Sequence, residues 1–147
     1  MSNETTIAKG SPSVLESNGA SIANNAIGQA DDMTYDVVVN GLNYPDARFV
    51  VGLTFSVAPT EGTTVALYAR PIDVDGTADG EVPEATRPTV YIGSFVVNNV
   101  TTTQYIELYA QNVPWKADYY LHNNGTGQTI SAGWTLKITP YTLKPAA

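Results

Sequence analysis

The sequence predicts an all-β fold, an antiparallel β-sandwich of the jelly-roll type, with an immunoglobulin-like sandwich as the alternative. Apolar residues recur at every second position through most of residues 33–139. A strand projects successive side chains to opposite faces, so this spacing gives each strand one buried face, whereas the same residues would scatter around a helix. Turn residues separate these segments at intervals of roughly 12 to 15 residues, and no helical pattern lies between them.

The predicted strands before residue 111 are short and bounded by turn signals. They cover residues 33–40, 47–57, 63–71, 89–97 and 103–110. The first ends at Asn40-Gly41, a turn signal because Asn and Gly accept positive φ angles at low cost. Residues 72–88 have no periodicity and are rich in carboxylates, so this segment is predicted to be a loop.

The segment 115–139 has the clearest strand pattern in the chain and is predicted to form a β-hairpin. The stretch 123–127, with the sequence NNGTG, is the predicted turn, and its two glycines favour a longer connection over a two-residue turn. Alternate positions of the second arm are apolar, so Trp134 is predicted to lie in the core.

Residues 1–30 differ from the rest in being rich in Ser, Asn, Ala and Gly and free of aromatic residues. Their large apolar side chains are too isolated to form a helix stripe or a strand face; they are Ile7, Leu15, Ile22 and Ile27. Two interpretations stay open, disorder or an extended arm that becomes ordered on a partner. The predicted organisation is therefore an extended or flexible N-terminal arm over 1–30 and a β-sandwich domain over 31–147.

The composition argues against several functional classes. With no cysteine among 147 residues, the chain can have neither a disulfide framework nor thiol chemistry. A net charge of −7 with seven basic residues argues against nucleic-acid binding. No apolar run approaches the ~20 residues of a membrane helix, and the first residues lack the basic and apolar parts of a signal peptide. Neither a membrane partner nor secretion is predicted.

The loop 72–88 contains the best candidate for a metal site, because calcium prefers carboxylate oxygens at closely spaced positions. Its Gly76 is at the fourth position of the acidic run and not at the sixth, which differs from the EF-hand spacing. We therefore predict that this segment is a solvated acidic loop, and calcium binding is the alternative. The candidate ligands are Asp73, Asp75, Asp79 and Glu81.

No catalytic site is predicted, and no cofactor. His122 is the only histidine, and without cysteine a zinc site would need several carboxylates. No serine lies in a GxSxG motif. His122 is instead predicted to be a surface or inter-subunit residue that forms hydrogen bonds at a strand end.

Tyrosines opposite the aliphatic residues of their strands predict an exposed aromatic face, and tyrosine is favoured at interfaces where one end of the ring is wet. These residues are Tyr68, Tyr105, Tyr109 and Tyr120, and with the four apolar residues of the arm they are the predicted partner interface. Ordinary β propensity explains them equally well. Exposed aromatic rings also stack on sugars, so carbohydrate binding is a further alternative. The aromatic residues considered for it are Trp115, Tyr119, Tyr120, Trp134 and Tyr141.

Three stretches of the sequence are similar to parts of a known class of proteins. They are FSVAPTEGTTVALYARPIDVDG, TVYIGSFVVNN and VPWKADYYLHNNGTGQTISAGWTLKITPY. In style and order they resemble small virion proteins of tailed bacteriophages, the capsid decoration or cement proteins. The resemblance covers about half of the chain and implies a compact β domain, often a homotrimer, that binds the major capsid protein.

Such proteins stabilise the outside of the capsid after synthesis in the host cytoplasm, and their N-terminal segments commonly extend over the capsid surface. Residues 1–30 would match that segment, and no catalytic residue is implied. Location in the head, a head fibre or the tail stays open. The alternative function is a carbohydrate-binding or host-adhesion β-sandwich module of a phage fibre.

Overall fold

The computed structural model describes residues 4–86 and 90–145, and over these ranges it contains strands and loops but no helix. The strands are β1 (Thr5–Lys9), β2 (Ser13–Gly19), β3 (Ile27–Asp36), β4 (Asp46–Leu53), β5 (Thr64–Pro71), β6 (Val90–Val96), β7 (Gln104–Ala110), β8 (Lys116–Asn124) and β9 (Trp134–Pro145). Residues 1–3, 87–89 and 146–147 lie outside the described residues. The start of the predicted arm, the end of the acidic loop, the first residue of the predicted strand 89–97 and the last two residues of the predicted domain fall on them.

Two antiparallel sheets pack against each other, which confirms the predicted β-sandwich. The first sheet has the order β1-β9-β4-β7, with β2 also paired to β9, and the second has the order β3-β8-β5-β6. From β2 to β9, consecutive strands alternate between the sheets except β5 and β6, which pair with each other. This strand order is compatible with the predicted jelly roll, which stays a prediction.

The core lies between the sheets and is filled by alternate side chains of the strands of both sheets. Trp134 is 1% exposed, which confirms its predicted place in the core, and its indole N–H donates to the carbonyl of Ala20 at 2.7 Å. The rings of Phe49 from the first sheet and Tyr119 from the second lie 5.0 Å apart between centroids. The strict alternation seen in the sequence therefore identifies the inner face of each sheet.

The predicted hairpin over 115–139 is wrong, because its two arms belong to different sheets. β8 pairs with β3 and β5, whereas β9 pairs with β1, β2 and β4. The connection crosses from one sheet to the other and is pinned at Ile130, which forms β-bridges with Ile22 and Phe55. Buried Asn123 holds the start of the crossing, since its amide nitrogen donates to the carbonyls of Ile22 and Gln128 at 3.0 and 2.7 Å.

The boundary predicted at residue 30 does not separate an arm from a domain. β2 and the first residues of β3 pair within the two sheets, and Leu15 and Ile22 are buried in the core. The sequence pattern was misleading because β2 pairs irregularly with β9, with register shifts on both sides of Glu16. An irregular strand buries single residues at uneven spacing, so no alternation is visible.

β1 forms a ribbon with the last residues of β9, and only this part of the segment 1–30 resembles the predicted arm. Ile7 lies opposite Leu143, and Thr6 lies opposite Lys144. The two pairs project to opposite faces of the ribbon, and all four side chains are exposed. Neither face of the ribbon is therefore covered at these positions. We call β1 with residues 141–145 the terminal ribbon.

Candidate functional site

A groove lies beside the terminal ribbon, on the outer face of the first sheet. It has a volume of about 760 Å³. Register places its parts side by side: Lys9 is opposite Tyr141, and Arg48 is opposite Tyr109. The residues of this terminal groove that concern binding are Ile7, Lys9, Arg48, Tyr109, Tyr141 and Leu143.

The two tyrosine rings of the terminal groove contact each other, and its arginine is paired with a glutamate of β7. Tyr109 and Tyr141 meet edge to face with centroids 6.0 Å apart and planes at 76°. Arg48 forms an ion pair with Glu107, with 2.8 Å between Nε and Oε2. Partial burial, with the charge of Asp46 as a smaller cause, raises the pKa of Tyr141, so its hydroxyl is neutral and can donate a hydrogen bond at physiological pH.

A second exposed surface, the loop tip, is formed by three loops at the end of the sandwich where β3, β5 and β7 finish. Its apolar side chains are between 61% and 86% exposed, with Val74 at the lower and Trp115 at the upper limit. The four residues of the loop tip are Val38, Val39, Val74 and Trp115. Contiguous exposed apolar side chains of this kind mark binding surfaces.

The loop tip is held by backbone hydrogen bonds and is not a set of free loops. The amide of Val37 donates to the carbonyl of Trp115 at 2.8 Å, and the amide of Ile72 donates to the carbonyl of Lys116 at 2.9 Å. The carboxylate of Asp36 accepts from the amides of the two valines, at 2.8 Å from Val38 and 3.1 Å from Val39. The apolar side chains therefore project from fixed backbone.

The predicted interface residues divide into three groups. Ile7 and Tyr109 line the terminal groove, and Tyr105, at 77% exposed, lies on β7 two residues before Glu107. Leu15 and Ile22 are core residues, so they cannot also enter pockets of a partner without unfolding this end of the sandwich.

The remaining three predicted interface residues, Ile27, Tyr68 and Tyr120, lie in a small cluster on the second sheet. Tyr68 is 9% exposed and Tyr120 is 5% exposed, so the prediction that these two rings are exposed is wrong. They lie opposite each other on the two central strands, where neighbours on both sides cover them. His122, predicted at the surface, is also buried here, with its ring 6.1 Å from that of Tyr68.

The aromatic residues considered for sugar binding also separate. Tyr119 and Trp134 are in the core, and Tyr120 is covered. Tyr141 is half-buried in the terminal groove, and Trp115 is the fully accessible ring of the set.

The aspartates of the predicted acidic loop are engaged by cations of the neighbouring strands and by the backbone of the loop itself. Asp73 pairs with Lys116 at 2.9 Å, and Asp79 lies 3.8 Å from Arg70. Asp75 accepts from two amides of the following turn, and these bonds lower its pKa. Within the described part of the chain, the four candidate ligands do not form a group whose oxygens could hold one metal ion, and the calcium alternative gains no support.

A carboxylate cluster that sequence reasoning missed lies where β2 approaches β3. Oxygens of Glu16, Asp31 and Asp32 fall within 4.8 Å of one another. Burial raises the pKa of Glu16, whereas the hydroxyl and amide of Ser17 donate to Asp32 and lower its pKa. Glu16 in turn accepts from the amides of Asn18 and Asp31. The cluster joins the two sheets, and no motif signals it because its members come from different strands.

Comparison of the chain with known protein families, curated proteins and solved structures finds no match. The described part of the chain contains no helix with the length and apolarity that crossing a membrane requires.

Proposed function

We propose that this protein is a structural, non-enzymatic component of a bacteriophage particle that binds the outside of the capsid and stabilises it. The partner in this proposal is the major capsid protein, and the decoration protein acts as a homotrimer at the virion exterior. The observation that carries the proposal is the terminal ribbon, whose apolar side chains Ile7 and Leu143 are exposed beside an open groove.

A two-stranded ribbon exposed on both faces is only marginally stable in water, because it buries little apolar area. A partner surface laid against it would cover Ile7 and Leu143 and give the ribbon its missing second layer. Tyrosine and arginine are among the residue types that contribute most to binding at protein contacts, and the groove offers both, in Tyr109 and Arg48.

The charges of the terminal groove favour a partner with acidic residues around an apolar patch. Lys9 and Arg48 line the groove of a chain whose net charge is −7. Among residues 4–86 and 90–145, only Arg48 of the two forms an ion pair, with Glu107, whereas Lys9 lies opposite the neutral Tyr141. Association should therefore weaken as salt is added, through a lower association rate.

The test is a pull-down by undecorated capsids with two charge-introducing variants, Ile7→Asp and Leu143→Asp. Each should lower capsid affinity at least tenfold, about 1.4 kcal/mol, because a carboxylate would be buried against the partner without a counter-charge. Val96→Asp is the matched control, since Val96 is similarly exposed on β6 of the other sheet. Capsid binding that is equal for all three variants and the unmodified protein would refute the proposal.

A further inference from the structure

The loop tip takes no part in the proposed capsid contact, yet Trp115 is the most exposed large apolar side chain that we find among the described residues, at 86%. We propose that the loop tip binds a neutral oligosaccharide, with a sugar ring stacked on the indole of Trp115. This activity is independent of the capsid contact.

The indole stands between two grooves, so a ligand longer than one ring can pass across it. One groove has a volume of about 580 Å³ and runs toward Val74, and the other has a volume of about 390 Å³ and runs toward Val113. Both volumes are in the range of small-ligand sites, about 300 to 1,000 Å³. The face of an aromatic ring is electronegative, and the C–H bonds on one face of a pyranose provide the complementary positive surface.

The ring is held ready for such a contact before any ligand arrives. The amide of Val37 donates to the carbonyl of Trp115, and the amide of Ile72 donates to the carbonyl of Lys116. These bonds fix the backbone that carries the indole. Just upstream, the amide of Val113 donates to the carbonyl of Pro45 at 3.0 Å. Little backbone entropy is then lost on binding, which strengthens the weak contacts that a sugar makes.

Polar side chains in both grooves can bond to sugar hydroxyls, which donate and accept at once. Asp36, Asp73 and Lys116 line the larger groove, and Asn43 and Asn112 line the smaller one. Asp36 uses Oδ1 for the amides of Val38 and Val39, and among the described residues its Oδ2 receives no hydrogen bond. A carboxylate oxygen beside an exposed indole is suited to accept from a hydroxyl group.

Charge selects a neutral ligand over an anionic one. The cations near the loop tip are already neutralised, Lys116 by Asp73 at 2.9 Å and Arg70 by Asp79 at 3.8 Å. Asp36 adds negative charge, so phosphates, uronic acids and anionic lipids would be repelled. A flat protein surface would meet the projecting indole without entering the two grooves, whereas a flexible sugar chain can occupy both.

The experiment uses the emission of the two tryptophans, because Trp134 is buried and a ligand at the surface can change only Trp115 directly. The full-length protein is screened on an array of neutral glycans and then titrated with cellohexaose, maltohexaose and chitohexaose. At least one array glycan should bind and shift the tryptophan emission to shorter wavelength at millimolar concentration. Binding by the Trp115 variants is measured on the array and by titration calorimetry, because they lack the reporting indole. Trp115→Ala should remove at least nine tenths of that binding with an unchanged melting temperature, and Trp115→Phe should retain part of it.

Tyr105→Ala is the matched control, because Tyr105 is a comparably exposed aromatic residue on the outer face of the first sheet. This variant should bind the same glycan as the unmodified protein does. The proposal is overturned if no glycan binds, or if the Trp115→Ala variant binds as well as the unmodified protein. It is equally overturned if Trp115→Ala loses capsid binding while no glycan is bound, because the loop tip would then be a protein contact.

Discussion

Two truncations distinguish a ribbon that is dispensable for folding from strands that are part of the core. Deleting residues 1–9 removes β1, in which Ile7 is 67% exposed and no side chain is buried. Deleting residues 1–30 also removes β2 and the start of β3, together with the buried side chains of Leu15 and Ile22.

The buried area sets the expected difference between the two truncations. Fully burying a leucine or isoleucine side chain contributes about 1.5 to 3 kcal/mol each, so Leu15 and Ile22 together account for about 3 to 6 kcal/mol. The larger deletion also breaks the hydrogen bond from Trp134 to Ala20, worth about 1 kcal/mol, and uncovers the indole. A domain has only about 5 to 15 kcal/mol of stability in total. The longer truncation should therefore be largely unfolded at 25 °C, whereas the shorter one should lose about 1 kcal/mol, or roughly 2 to 4 °C in melting temperature.

Thermal melts followed by circular dichroism, with urea unfolding followed by fluorescence, measure this difference. In a Trp115→Phe background only Trp134 emits, so its wavelength reports whether the core is dry. If the protein lacking residues 1–30 melted within about 4 °C of full length, with Trp134 still emitting at short wavelength, the assignment of Leu15 and Ile22 to the core would be refuted.

Four further outcomes are expected. Gly19→Ala should lower the free energy of unfolding in urea by about 1 to 3 kcal/mol, because the added Cβ would overlap the buried indole ring of Trp134 at Cε2. Tyr35→Phe and Tyr119→Phe should leave stability in urea unchanged or raise it by up to about 1 kcal/mol, since neither buried hydroxyl has a hydrogen-bond partner among the described residues. Burial raises the pKa of Tyr35 to about 12, so the folded state favours the neutral phenol. The free energy of unfolding is therefore unaffected by this ionisation below the ordinary pKa of about 10 and falls as the pH rises from 10 through 12. Tyr35→Phe should move alkaline unfolding, followed at 295 nm, to higher pH. Millimolar calcium should change the melting temperature by less than about 5 °C, with magnesium as the control, because the loop carboxylates are engaged separately; a larger rise specific to calcium would contradict this.

Where the alternation is regular, the sequence was sufficient to predict which residues of a strand face the core, but not which strands pair. Alternation reports that one face of a strand is buried, and this holds equally for hairpin partners and for strands in opposite sheets. The segment 115–139 illustrates the limit. Its inner residues, such as Trp134, were identified correctly, while the crossing at Ile130 was read as a turn followed by a paired arm.

The candidate surfaces were only partly predictable for a related reason. Exposure of an outward-facing residue depends on its neighbours across the sheet, which the sequence does not specify. Tyr68 and Tyr109 have the same pattern in their strands, yet Tyr68 lies on a central strand and is covered, whereas Tyr109 lies on the edge strand β7 and is exposed. Periodicity placed Val38 and Val39 in the predicted strand 33–40, which is wrong because β3 ends at Asp36. Their amides donate to the carboxylate of Asp36, and both side chains are exposed.

The pairing of Thr5 with Pro145 has a consequence for how the protein is made. β9 follows the other described strands in chain order, and β1, β2 and β4 all pair with it. Those earlier strands lack their common pairing partner until β9 has been synthesised, and pairing between such distant segments is slow. A chain that stops before β9 could not close its first sheet, and such chains should be found in aggregates or bound to chaperones.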